Sequence, residues 1–146
     1  MTVNELWEAF LAKNNLDDCE YEAWSFGVDA DHLAHLVAIG EKTATASAHP
    51  LYALENEPLP TMGEYNVILD SNDNAVCIIQ TQTVTIIPFD KVTAEHAFKE
   101  GEGDKSLAYW RDTHEKFFTE CLQEVGLKFT PDMNVVCEEF IVVYKP

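Results

Sequence analysis

The stretch Ala75–Ile87 constrains this chain more than any other. It reads Ala-Val-Cys-Ile-Ile-Gln-Thr-Gln-Thr-Val-Thr-Ile-Ile, and Pro88 closes it. β-Branched residues favour extended backbone, where the crowded Cβ packs well on a pleated surface. Strands usually run about 5–6 residues, so one straight strand of this length is unusual. A bend or bulge is expected within it, as where a strand turns the corner of a small barrel. Tyr65–Leu69 reads as a preceding strand, and Asp70-Ser71-Asn72-Asp73-Asn74 as the hairpin turn between the two. That turn lacks the glycine and the closing glutamate of a calcium loop.

The remaining elements follow from the same patterns. Glu20–Phe26 alternates acidic and larger residues and reads as a strand ending at Gly27. Asn134–Tyr144 reads as the last strand. Within it Glu138 and Glu139 point to opposite faces, so one of them faces inward. An inward carboxylate needs a partner, a cation or hydroxyls, and Lys42 and Arg111 are the available cations. Leu6, Trp7, Phe10 and Leu11 make the apolar stripe of a helix over Asn4–Leu16, capped by Thr2 or Asn4. Asp29 or Asp31 starts a second helix that runs to Ile39, and its His32 and His35 read as rim histidines. Thr93 caps a short helix with His96, Ala97 and Phe98. Asp104 is expected to cap a longer one, with Leu107, Trp110, His114, Phe117, Phe118, Cys121, Leu122 and Val125 at helical spacing and Gly126 at its end. Trp110 and His114 are read as core. Pro58 and Pro60 make 48–63 a long loop. Strands joined by short turns, with helices at the connections, predict an α+β fold: a small, partly closed mixed barrel flanked by helices. The whole of 1–146 is expected to form one domain, with the N-terminal helix, about 3–16, packed on it.

The helix-to-strand corner Gly40-Glu41-Lys42-Thr43-Ala44-Thr45-Ala46-Ser47 carries the strongest functional signal. Gly40 suits a left-handed helix stop. After it, Thr43, Thr45 and Ser47 alternate with the methyl groups of Ala44 and Ala46, and Lys42 is the one cation in the stretch. Positions 42 and 45 of an ideal strand face opposite sides. For both to serve one site, Lys42 must lie in the bend after Gly40. The run Glu100-Gly101-Glu102-Gly103-Asp104 has the glycines of a phosphate loop, but its three carboxylates would repel an anion.

Charge limits the partners. The chain has 26 acidic residues against 9 Lys and Arg, a formal net charge of −17, so long polyanions and anionic membrane surfaces are repelled. Lys91, Lys99, Lys105, Arg111 and Lys116 are the only local concentration of positive charge, and acids interleave with them. RNA is therefore disfavoured as a partner, and neither DNA nor a membrane is expected. Cys19, Cys77, Cys121 and Cys137 match neither a zinc site nor a disulfide framework, and no metal or cofactor is expected. The acidic N-terminus is unlike a secretory signal, and no apolar run reaches membrane-spanning length. The expected compartment is the cytoplasm, and the expected state a monomer or homodimer.

Several segments together resemble the ASCH (activating signal cointegrator homology) domain family. They are Gly40-x-Lys42-x-x-Thr45, Trp24-x-Phe26-Gly27, Leu59-Pro60-x-x-Gly63-x-Tyr65, Glu100-Gly101-Glu102-Gly103-Asp104 with Leu107-x-x-Trp110, and Glu139-Phe140. The resemblance implies a barrel similar to that of PUA domains. It also implies one of two functions. A small bacterial member hydrolyses the amide of N4-acetylcytidine with a lysine, a threonine and a glutamate; by the resemblance these are Lys42, Thr45 and, following Thr93-Ala94-Glu95-His96-Ala97, Glu100. Other members are proposed to bind RNA, and ribonuclease activity has been reported in the family. On the first reading the partner is a small nucleoside-like ligand. Trp24, Phe26, Ser47, Tyr65, Arg111 and Glu139 are then candidates to contact it. Whether Lys42 or Glu100 is the base stays open in the sequence, and a binding domain without catalysis is a third reading.

Overall fold

The computed structural model describes residues 1–146. Five strands form one mixed sheet in the order β1-β3-β4-β5-β2: β1 Tyr21–Trp24, β2 Ala44–Ala48, β3 Tyr65–Leu69, β4 Ala75–Pro88 and β5 Asn134–Tyr144. β1 runs parallel to β3, and every other neighbour is antiparallel. The five α-helices are α1 Val3–Asn14, α2 Ala30–Ala38, α3 His49–Leu54, α4 Ala94–Glu100 and α5 Leu107–Glu124. No helix is long and apolar enough to cross a membrane.

The expected bend in the long strand is present. The β4–β5 register shifts between Ile78 and Ile79 and again between Thr81 and Thr83. These irregularities let the first half of β4 pair with β3 while its second half continues along β5. The expected barrel is not formed. β1 and β2 stand at the two ends of the sheet and do not pair with each other. They are four and five residues long, and α2 packs on one face of the sheet. Its Ala34 and Val37 bury against Ile68, Cys77, Ile79 and Phe140.

The sheet is covered on both faces. Val67, Leu69 and Ile78 point to one side, under Leu6, Trp7 and Phe10 of α1; Ile68, Cys77 and Ile79 point to the other, as period-2 alternation requires. A capping box starts α1: the Glu5 backbone N–H donates to the Thr2 hydroxyl at 3.1 Å, and the Thr2 N–H donates to the Glu5 carboxylate at 3.0 Å. A third cluster packs α4 and α5 on β2 and β5 through Ala97, Trp110, Phe118 and Leu122, joined by Phe89 from the turn after β4, against Ala48, Val135 and Cys137.

Two local expectations are revised. The first third of 48–63 is helical, because Pro50 falls in the first turn of α3, where its missing N–H costs nothing. Ser106, not Asp104, caps α5: its hydroxyl accepts from the Tyr109 N–H, while Asp104 accepts from the Ser106 N–H one turn earlier.

Candidate active site

Lys42 is built into its place by the corner that precedes β2. Gly40 leaves α2 at φ +83°, and the backbone N–H groups of Glu41 and Lys42 both donate to the Leu36 carbonyl, at 2.9 and 3.0 Å. Thr43 then ties to α4 and β5: its N–H donates to the Lys99 carbonyl at 2.7 Å, and its carbonyl accepts from the Phe140 N–H at 3.0 Å. Lys42 therefore lies in the bend before the strand, as the shared-site argument requires. Its side chain turns inward and is 1% exposed.

The ammonium meets three acceptors at close range. Nζ donates to the Ala44 carbonyl at 2.9 Å, to Glu102 Oε2 at 2.8 Å and to Glu100 Oε1 at 3.2 Å. It also lies 5.4 Å from the centre of the Phe26 ring, within cation–π range. Neither Glu138 nor Glu139 meets Lys42 or Arg111: Glu138 bonds the Thr81 hydroxyl and Glu139 accepts from Lys99, and both carboxylates on Lys42 come from the end of α4 and the turn that follows it.

That turn brings two acids to one cation. Residues two apart on a helix do not face each other, so Glu100 and Glu102 converge only because the helix stops between them. Gly101 makes the stop at φ +71°, and a Cβ there would overlap the Glu41 carbonyl. Glu100, the last residue of α4, is 1% exposed. Its Oε2 accepts from Trp110 Nε1 at 2.5 Å and lies 2.7 Å from His96 Nε2. Its Oε1 takes Lys42 and lies 3.4 Å from His114 Nε2. Burial alone would push this carboxyl up, but the Lys42 ammonium and the hydrogen bonds from His114 and His96 outweigh it and hold it well below the carboxylate range. Burial disfavours the His114 imidazolium, but the Glu100 carboxylate overcomes that cost and raises its pKa. Both His114 nitrogens face acceptors, since Nδ1 lies 2.8 Å from the Trp110 carbonyl.

Above the ammonium opens a cavity of about 350 Å³. Lys42, Thr45, Ala46, Glu100 and Glu102 line its base, with Phe26, Tyr109 and Phe117 among the aromatic walls and Asp29, His32 and Thr113 around them. Glu100, Glu102 and His114 bring three ligand atoms within 4.8 Å of one another, a spacing a divalent ion could bridge. The Lys42 ammonium already bonds both carboxylates, so the donor set is charge-compensated without a metal and does not fit one well.

The sequence candidates divide cleanly. Lys42, Thr45, Glu100 and Phe26 share the cavity. Trp24 lies behind it: its indole N–H donates to Asn66 at 2.8 Å, and its ring packs edge-on to Phe26. Ser47 is bonded to the Tyr52 hydroxyl at 2.7 Å. Tyr65 stands in the α1 cluster against Trp7 and Phe10. Arg111 donates to the carbonyls of Asp90 and Val92, and Glu139 accepts from Lys99. None of these five lines the cavity. Glu102 and His114 were missed as site residues. The available signal was a pair of four-residue spacings, His96 to Glu100 and Trp110 to His114, which put polar rings and a carboxylate on facing helical surfaces.

The family model for the ASCH domain matches residues 22–144. A solved ASCH domain from Lactobacillus crispatus JV V101 superposes with a TM-score of 0.90 at 32% identity, covering 97% of this chain and 93% of that one. A protein from Enterococcus faecalis V583 superposes with a TM-score of 0.86 at 38% identity, covering 96% of this chain and 86% of its own. A hypothetical protein only 13% identical, with a TM-score of 0.56, shares the fold alone. No curated protein matches the chain significantly.

Proposed function

The chain belongs to the ASCH domain family, and we propose that its cavity is the active site of a small-molecule amidohydrolase acting on N4-acylated cytidine nucleosides or a similar amide. The observation that carries this reading is a buried lysine, held by three acceptors, at the foot of a cavity it shares with Thr45. Two carboxylates and the backbone carbonyls of Ala44 and Glu100 hold its amine head in place. Lys42 is then a fixed positive charge for the oxygen that becomes negative when an amide carbonyl is attacked, and it needs no reorganisation during the reaction. Thr45 supplies a hydroxyl beside it, and a neighbouring carboxylate takes the proton of the attacking group. Phe26, Tyr109 and Phe117 offer aromatic surface to a planar base. The volume sits at the small end of the roughly 300–1,000 Å³ usual for small-molecule sites.

The surface charges favour a small neutral ligand over an RNA strand. Lys99 pairs with Glu95 and Glu139, Lys105 with Glu41, and Lys116 with Asp112, while Arg111 serves backbone carbonyls. Of the five cations clustered in sequence only Lys91 lacks such a partner, which leaves little local positive charge to follow a phosphate backbone.

Incubation of purified protein with N4-acetylcytidine, followed by loss of the acylated chromophore, tests the reading. Turnover is expected in the wild type, with a loss of roughly 100-fold or more in Thr45→Val. A wild type without turnover removes this substrate class. Full activity in Thr45→Val removes the site.

A further inference from the structure

We infer that Glu102 is the general base of this site and that Glu100 is a positioning residue that holds Lys42 and the base in place. The inference rests on the amidohydrolase reading and assigns the proton-transfer step within it. Its ground is the different surroundings of two carboxylates that share one ammonium.

Glu100 has no free capacity to act as a base. Its two oxygens face Lys42 Nζ, His114 Nε2, His96 Nε2 and Trp110 Nε1, at distances from 2.5 to 3.4 Å. The side chain is 1% exposed, so a substrate or water reaching it would have to displace one of those groups. Glu102 is the reverse. Lys42 holds only its Oε2, at 2.8 Å, and no hydrogen bond reaches its Oε1. The side chain is 22% exposed and lines the cavity. One oxygen is thus oriented by the ammonium and the other is open to a ligand. Gly103 leaves the turn at φ +58° against the Tyr109 ring, which fixes the far side of the Glu102 backbone.

Written for water as the attacking group, the step balances. Glu102 takes one proton as the water oxygen bonds to the acyl carbon, and the carbonyl π pair moves to the oxygen beside Lys42. When the intermediate collapses, the C–N bond breaks and the proton on Glu102 passes to the departing amine. Amide and water become acid and amine, with nothing oxidised or reduced.

Steady-state kinetics of Glu102→Gln, Glu102→Ala and Glu100→Ala on N4-acetylcytidine, with and without added formate, test the assignment. Both Glu102 variants are expected to lose roughly 100-fold or more in kcat with KM near the wild-type value. Formate, small enough to enter the open position, is expected to restore part of the rate to Glu102→Ala and none to Glu100→Ala. Wild-type kcat in Glu102→Gln, or rescue of Glu100→Ala alone, overturns the assignment while leaving the amidohydrolase reading in place. A wild type without turnover overturns both.

Discussion

Glu100 and Glu138 are both withdrawn from water, but their surroundings are opposite in kind. Around Glu100 the fold gathers an ammonium, two histidines and an indole N–H. On Glu138, which pairs with Thr45 across the β2–β5 ladder, the charge that acts is that of another carboxylate, Glu64. Burial and the charge of Glu64 push the Glu138 carboxyl up to about 7, and the Thr81 hydroxyl offsets only part of that. Glu64 is itself raised, by burial and by Glu22. Burial alone therefore does not mark a functional carboxylate. A cavity beside a compensated one is the more informative combination, because a set of oriented donors costs the chain ordering entropy that a simple core position does not demand.

Removing the shared cation is the most severe way to break this contrast. Lys42→Ala would leave Glu100 buried without its ammonium, and the loss of one partner from such a pair costs roughly 3–5 kcal/mol. Chemical denaturation at neutral pH is expected to show a loss of that order. A loss under about 1 kcal/mol would mean that the histidines and Trp110 suffice, and the cluster would not depend on Lys42.

Titration sharpens the comparison, because the two acids act on stability with opposite signs. The Glu100 pKa is lowered on folding, so its contribution is complete above the ordinary value of 4.5 and is lost as the pH falls through the folded pKa. The Glu138 pKa is raised to about 7, so its favourable contribution is complete below 4.5 and is lost as the pH rises from there to about 7. Glu138→Gln is therefore expected to be more stable than the wild type at pH 8, by on the order of 1–2 kcal/mol, since each pKa unit is worth about 1.4 kcal/mol and partial hydration discounts the sum. The advantage should vanish at pH 4. A melting temperature that shifts equally at both pH values would show a packing effect instead.

The smallest effect is expected at Tyr65, which resembled a ligand contact in sequence and lies in the aromatic cluster under α1. Tyr65→Phe should change stability by no more than about 0.5 kcal/mol and leave hydrolysis untouched. A large loss of turnover would show that the α1 face communicates with the cavity.

What was legible in the sequence follows from locality. The bounds of β5, the bend in β4, the Thr93 cap and the left-handed Gly40 depend on residues a few positions apart, where steric and capping rules act directly. Lys42 outside the strand was also readable, because the period-2 rule left no other way for it to join Thr45. Closure of the sheet was not readable. It depends on whether β1 meets β2, a long-range pairing that no local pattern encodes. The partner of Lys42 was misassigned for a related reason. Glu139 is a strand neighbour of Ala44, but Lys99 reaches it first, and the two carboxylates that bind Lys42 arrive over a sequence gap of about sixty residues. The acidic interleaving that ruled out a phosphate loop at Glu100–Asp104 was itself the sign of the lysine's partners.

The open sheet has a consequence for how copies of this chain meet one another. A closed barrel has no free margins, whereas an open sheet exposes rows of backbone donors and acceptors that can template the strand of a neighbour. Here the two end strands are short. β1 offers only four residues. At the other margin, β2 is five residues long, and the backbone just before it is already taken up by α4 through the Thr43 N–H and the Lys99 carbonyl. The longest strands, β4 and β5, have neighbours on both sides over only part of their length: β3 covers β4 from Ala75 to Gln80, and β2 covers β5 from Val135 to Glu139. The β-branched run Thr83–Ile87 in the second half of β4 pairs with β5 alone, so it is the margin at which the strand of a neighbour would find free backbone groups.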